Sequence, residues 1–300
     1  MTPNSVYLSI FLDPDWAHEK YHGWKSIVSR PQFRVLLKQL GPLKQYLVLS
    51  QLGGDMLVDE LRNLRLFDLL SIVTIKDFTK LNQDFTKTFQ FDGRTVHQAN
   101  EANRIFHQYT FAVDLNQTLE AIWSNMKSDN KRVCRKSMSD GMTIESVSSA
   151  PSDILSLFFK RYRKMAFERS LLVPSEEIIK KMFSDGHLKI FFAKFLEVIG
   201  SIILVYTASK TAIYLYGVPS ERVNDGSGQL VQWKAMEHLK ESGYHWYDLG
   251  GVPDINGKNG IYRFKMSIGG DLIDLGAEYY YCPSLLGWAK CVYKKLRVAL

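Results

Sequence analysis

Leu188-Lys189-Ile190-Phe191-Phe192-Ala193-Lys194-Phe195, Ile199-Gly200-Ser201-Ile202-Ile203-Leu204-Val205-Tyr206 and Ala212-Ile213-Tyr214-Leu215-Tyr216-Gly217-Val218 are three apolar runs of strand length. β-Branched and aromatic residues dominate them, and only short turns separate them, which predicts an antiparallel meander. A glycine-bearing loop follows, Val223-Asn224-Asp225-Gly226-Ser227-Gly228, and 229–242 has helical spacing. Tyr247-Asp248-Leu249 reads as a short strand closing on Gly250-Gly251, 260–268 as a helix and 272–281 as a last strand. Strands and helices mixed along one segment make the fold class α/β (α+β).

Upstream, 109–115 is strand-like, and Asn116 can cap a helix that carries Leu119, Ile122, Trp123 and Met126 at helical spacing. That helix is expected to run through Lys131-Arg132-Val133-Cys134-Arg135-Lys136 and to end near Gly141, with a strand at 142–147. A strongly basic helix is expected at 154–169. Pro174-Ser175-Glu176-Glu177 puts proline and acidic residues where a helix start favours them. The first hundred residues are less patterned: strands at 6–12 (stopped by Asp13-Pro14-Asp15), 46–49 and 69–75, with mixed helical sequence between. The expected division is an N-terminal domain at 1–145, a C-terminal domain at 146–282 and a closing helix at 283–300.

A length of 300 residues suits one large or two medium domains, and 46% hydrophobic with 23% charged residues is the balance of a folded protein. The net charge of +7 favours encounter with polyanions such as tRNA, phosphorylated precursors or anionic lipid without choosing among them. Cys134, Cys282 and Cys291 are odd in number and form no close pair, which argues against a disulfide framework and fits a reducing, cytoplasmic compartment. The opening residues reach Asp13 before any long apolar run and read as a strand, not a signal peptide. Lys194, Glu197 and Gly200 break the most apolar stretch too often for a membrane span.

Three segments carry a family resemblance. They are 109–145; Tyr162-Arg163-Lys164-Met165-Ala166-Phe167-Glu168-Arg169 with the Pro-Ser beyond it; and Tyr247-Asp248-Leu249-Gly250-Gly251 with Gly260-Ile261-Tyr262-Arg263-Phe264-Lys265 and Ile268-Gly269-Gly270. Together they resemble the FemABX aminoacyltransferases, tandem acetyltransferase-like proteins of the GNAT superfamily. The resemblance implies two tandem GNAT-like domains, the C-terminal one better defined, and a fold that splays two strands to admit an ester or thioester. It also implies an activity: transfer of an amino acid from aminoacyl-tRNA to an amine of a peptidoglycan or other cell-envelope precursor, with no further cofactor.

By that resemblance the lysine of the Phe-Lys pair, Lys265, stabilises the oxyanion of the tetrahedral intermediate, as a cation at its ordinary pKa of about 10.4 can. Arg169 falls where the family places an arginine on precursor phosphate. Phe264, Tyr162, Asp248 and Tyr262 are the other expected substrate-binding residues. The plain alternatives are a solvated Lys265 paired with Asp248 or Asp271, a surface Arg169, and a structural turn at Asp248. The partners implied are the tRNA 3′ end and a phosphorylated or lipid-linked sugar precursor; oligomeric state is unknown.

The rival reading is an acyl-CoA-dependent N-acyltransferase acting on an amino sugar in polysaccharide synthesis. Gly226 and Gly228, before a helix, approximate a pyrophosphate cradle. The spacing is one residue off and Asp225 would repel phosphate. His18-Glu19-Lys20-Tyr21-His22 spells a zinc-peptidase string, but Gly23 comes at once after it and no third ligand stands in context. The cluster 131–136 could touch phosphates or be a solvated helix face. Residues 283–300 set Leu285, Trp288, Val292, Tyr293 and Leu296 against Lys290, Lys294, Lys295 and Arg297. That pattern suits either contact with the inner membrane surface or docking on the protein.

Overall fold

The computed structural model describes residues 15–16, 21–52, 54–67, 71–78, 88–99, 104–147, 152–222, 225–252 and 255–282. The strand expected at 6–12, most of the zinc-peptidase string and the helix expected at 283–300 lie outside these residues. The chain divides into two compact units, one of 1–109 with 273–300 and one of 110–272. The division therefore falls at 109/110 and 272/273, rather than at the expected 145/146. The strand and helices after residue 109 build the second sheet and its cover, so they belong to the second unit.

The first unit holds β1 (Lys25–Arg30), β2 (Phe33–Leu40), β3 (Leu43–Ser50), helix α1 (Gly54–Leu64), β4 (Ser71–Asp77), β5 (Thr88–Phe91), β6 (Arg94–Gln98) and β14 (Glu278–Tyr281), in the order β1-β2-β3-β4-β14-β6-β5. β3 and β4 are parallel over seven pairs, Lys44↔Ser71 to Ser50↔Asp77, with α1 as their crossover. β14 pairs antiparallel with β4 and with β6, so a strand about 200 residues downstream completes the middle of this sheet. Val35, Val48, Leu61 and Val73 form its core, and Phe67 packs on Phe91 and Tyr281 at ring separations of 4.8 and 5.2 Å.

The β1–β2 hairpin replaces the helical sequence expected there. Phe33, Leu36, Leu37 and Leu40 fall at helical spacing, yet Phe33, Arg34, Val35 and Leu36 are all buried, as a strand covered on both faces requires.

The second unit holds β7 (Tyr109–Asp114), α2 (Leu119–Asn125), α3 (Ser128–Ser139), β8 (Thr143–Val147), α4 (Ser152–Arg169), α5 (Glu176–Ser184), β9 (Leu188–Phe195), β10 (Val198–Ala208), β11 (Thr211–Val218), α6 (Ser227–Glu241), β12 (Trp246–Val252), α7 (Gly260–Ile268) and β13 (Asp271–Asp274). Its sheet runs β13-β7-β12-β11-β10-β9-β8. The meander β9–β10–β11 is antiparallel as expected.

Two expectations are corrected. The single helix from Asn116 is two helices, because Met126 and Lys127 are extended, and its cap is Thr118, whose Oγ1 accepts the Ala121 N–H at 3.2 Å. The last strand at 272–281 is two strands in different sheets, parted by a turn at Gly276 (φ +77°).

Candidate active site

In the second sheet the parallel pairing of β11 with β12 lasts three residues and stops at Ile213↔Asp248. Just beyond, the β10–β11 register shifts between Leu204↔Tyr216 and Val205↔Tyr214, leaving Leu215 as an extra, bulged residue. A bulge bends its strand. The ladder between the two parallel strands ends here, and three features of the neighbouring sequence converge on this point.

The first is Gly250. It takes φ +80°, and a Cβ there would lie 3.1 Å from both the Tyr214 carbonyl oxygen and Lys265 Nζ. Glycine meets both demands, conformation and close approach.

The second is Asp248, buried, the third residue of β12. Its Oδ1 accepts the Thr110 hydroxyl at 2.5 Å and the Gly250 N–H at 2.7 Å. Those bonds fix the turn, which is the structural role weighed for this residue.

The third is α7. Asn259 caps it, its Oδ1 accepting the Ile261 N–H at 2.8 Å. Gly269 ends it at φ +98°, where a Cβ would meet the backbone of Asn125 and Met126 at 2.7–2.8 Å, and Gly270 lies nearly as close to Ala112. The Gly-Gly of the motif is thus the packing contact of α7 with α2 and β7. Lys127 N–H to Ser267 O (3.1 Å) and Asn130 Nδ2 to Ser267 Oγ (2.8 Å) hold the same helix from α3 and its cap.

So held, α7 buries Lys265, which keeps 8% of its surface exposed. Its Nζ donates to the Gly251 carbonyl at 2.9 Å and lies 6.0 Å from the centroid of the Tyr214 ring. Burial lowers its pKa to about 8, against the opposing pull of the Asp248 charge. The expectation of an ordinary lysine pKa is therefore corrected: the ammonium has lost most of its water.

Tyr162 from α4 meets Tyr216 edge-on at 5.7 Å. Tyr162, Tyr214 and Tyr216 thus form an aromatic wall from a helix and the bulged strand. Burial raises the pKa of each phenol, to about 12 for Tyr214 and Tyr216. Gly217 makes room for the Tyr214 ring, whose Oη would lie 2.0 Å from a Cβ there. Tyr214 and Tyr216 were not anticipated; the available signal was the Tyr-Leu-Tyr-Gly at the end of an otherwise aliphatic run.

Of the remaining expected residues, Tyr262 packs edge-on against Phe111 at 5.3 Å, and Phe264 is half-buried beside Lys265 in sequence. Arg169 is exposed on the last turn of α4, with no hydrogen bond or ion pair among the described residues.

The glycine loop opens on a separate cavity of about 810 Å³, lined among others by Arg132, Lys136, Ser201, Arg222, Asp225 and Gly226. Asp225 Oδ1 already accepts the Ser227 N–H at 2.9 Å and its hydroxyl at 2.6 Å. Gly226 (φ +76°) is required by α3, since a Cβ would fall 2.3 Å from Ser137 Oγ; at Gly228 a Cβ would make only ordinary contact. Among the described residues no cluster of His, Cys, Asp and Glu is placed to hold a metal ion, and no helix is long and apolar enough to cross a membrane.

Residues 193–293 match the FemAB family, so the resemblance read from the motifs holds over that stretch. No curated protein matches the chain. Among solved structures it is similar to FemX (TM-score 0.66, 14% identity, covering 98% of this chain and 99% of that one). It is also similar to the C-terminal domain of a protein assigned as a lysylphosphatidylglycerol synthetase from Agrobacterium fabrum (0.57, 14%, 97% and 94%). A third is L-PGS from Bacillus licheniformis (0.53, 13%, 98% and 96%). At these identities the likeness is one of fold, shared with FemX over nearly the whole chain.

Proposed function

We propose that this chain, FemAB-like over residues 193–293, is an aminoacyltransferase. In this reading it moves an amino acid from the 3′ end of an aminoacyl-tRNA to an amine of a peptidoglycan or other cell-envelope precursor in the cytoplasm. One observation carries the reading: a desolvated ammonium, Lys265, stands beside the point where the β11–β12 ladder ends.

The chemistry asks little more. The acceptor nitrogen attacks the ester carbonyl, forming the C–N bond and an oxyanion. The C–O bond to ribose then breaks, the alkoxide takes up a proton and the amine gives one up. A fixed positive charge in a low-dielectric site stabilises the oxyanion far more than it would in water. With a pKa of about 8, Lys265 is charged at neutral pH and close enough to neutrality to pass a proton to the leaving oxygen. The phenols, held well above their ordinary pKa, stay neutral and act as wall, not base. Arg169 serves as a freely exposed fork for phosphate.

The acyl-CoA reading draws on the basic cavity at the start of α6. Against it, the N–H that would meet a pyrophosphate is taken by Asp225, whose charge stands in the same place. The deciding experiment offers the protein labelled aminoacyl-tRNA or acetyl-CoA with a soluble nucleotide-sugar peptide amine. Transfer from tRNA that is lost in Lys265→Ala supports the proposal. Transfer from acetyl-CoA alone, or tRNA-dependent transfer untouched by that substitution, overturns it.

A further inference from the structure

Five residues past Tyr162, α4 ends in an apolar tip. Phe167 is 91% exposed, and Leu171, Leu172 and Val173 are 43–51% exposed. The chain turns back at Ser170 (φ +53°), with Leu171 N–H donating to Ala166 O at 2.9 Å, so the three residues after the turn stay beside the helix end. A contiguous group of large apolar side chains in water marks a contact surface.

The same face of α4 carries three cations, with one exposed carboxylate, Glu168, beside them. Lys160, Arg163 and Lys164 precede Phe167 by seven, four and three residues, the spacing of one helix face, and all three are exposed. Arg163 is paired with Glu176, whereas Lys160, Lys164 and Arg169 have no ion pair among the described residues. At a rise of 1.5 Å per residue, Lys164 and Lys160 stand about 5 and 10 Å behind Phe167 along the axis. That is about the depth of a bilayer's polar headgroup layer, roughly 5–8 Å a side.

We propose that this tip inserts into an anionic lipid surface, Phe167 and Leu171–Val173 entering the acyl boundary while Lys160 and Lys164 meet lipid phosphates. Apolar insertion backed by cations is how an interfacial anchor binds, each charge adding its own attraction. Four side chains at one helix end are few for a stable protein interface, and the unpaired Lys160 and Lys164 behind them suit a polyanionic plane better than an apolar patch. Tyr162 lies on the same helix, so docking would bring the aromatic wall to the lipid; that consequence, a lipid-linked amine acceptor, rests on the transferase reading, while the docking does not.

The test is cosedimentation of the full chain with phosphatidylcholine vesicles, with and without phosphatidylglycerol. Binding is expected only with phosphatidylglycerol and is expected to weaken with salt. It should fall about ten-fold or more in F167S/L172S and in K160E/K164E, with circular dichroism unchanged. Phe167→Trp, which keeps the aromatic, should be quenched by brominated lipid beyond the parent protein. No binding to anionic vesicles, or binding unaltered in F167S/L172S, overturns the proposal; the second result would hand the role to 283–300. Lipid-free self-association abolished by F167S/L172S also overturns it, since the tip would then be a protein interface. Transfer to a soluble amine should be unchanged in these variants, which separates failure of docking from failure of the transferase reading.

Discussion

The two sheets answer one another strand for strand up to a point. β2-β3-α1-β4 in the first and β10-β11-α6-β12 in the second are each an antiparallel pair leading through a helical crossover to a parallel strand. In both, a buried lysine donates to a glycine carbonyl at 2.9 Å, Lys76 to Gly276 and Lys265 to Gly251, and burial lowers both to a pKa of about 8. The difference is the length of the ladder. The first pair is zipped through all seven residues, and Lys76 has no exposed surface, with Glu278, Asp274 and Asp77 the nearby carboxylates. The second ladder ends after three, and among the described residues Asp248 is the carboxylate that acts on Lys265, which keeps a sliver of accessible surface. A buried ammonium is therefore no mark of catalysis in itself; what distinguishes Lys265 is the short ladder beside it and the surface it keeps.

Substitution of the two lysines should pull the comparison apart. Lys76→Ala removes a fully buried ammonium from among Glu278, Asp274 and Asp77 and is expected to cost about 3–5 kcal/mol of stability, read by urea denaturation, with the transfer rate per folded molecule unchanged. Lys265→Ala should do the reverse: transfer down by about 10²–10³-fold, the scale of one lost oxyanion donor, with melting little affected. If both lose only stability, Lys265 is structural too.

A smaller effect is expected at Gly250. Alanine there adds left-handed strain of about 1–2 kcal/mol and crowds Lys265 Nζ, so activity should fall more than stability, measured side by side. The mildest test is pH. The Lys265 ammonium is present below about 8 and lost above it, so transfer should decline on that limb, and Lys265→Arg should move the decline upward. Stability should run the other way. Between about pH 8 and 10 the unfolded lysines still hold protons that folded Lys76 and Lys265 have released, so stability rises with pH until the tyrosines begin to titrate.

The second sheet was easier to read from sequence than the first for a physical reason. The meander and α7 are local: runs of one polarity bounded by glycine and capping residues, with α7 observed at the expected 260–268. The glycines of the motif were legible as constraints, though not as what they constrain, since Ala112 and Asn125 are far away in sequence. The hairpin of β1 and β2 hid because Phe33, Leu36, Leu37 and Leu40 satisfy a helix as well as a strand, and only burial on both sides decides. Tyr214 and Tyr216 looked like core residues of a strand; the bulge at Leu215 that aligns them with Tyr162 depends on register with β10, which no local pattern carries.

The insertion of β14 between β4 and β6 has a consequence for biogenesis. Until residues 278–281 leave the ribosome, both neighbours present bare backbone edges, the geometry that invites unwanted pairing between nascent chains. A sheet whose first strands are translated before the whole second unit is thus completed only after it, and a fragment ending before β14 should aggregate when expressed alone, a result that sedimentation of lysates would reveal.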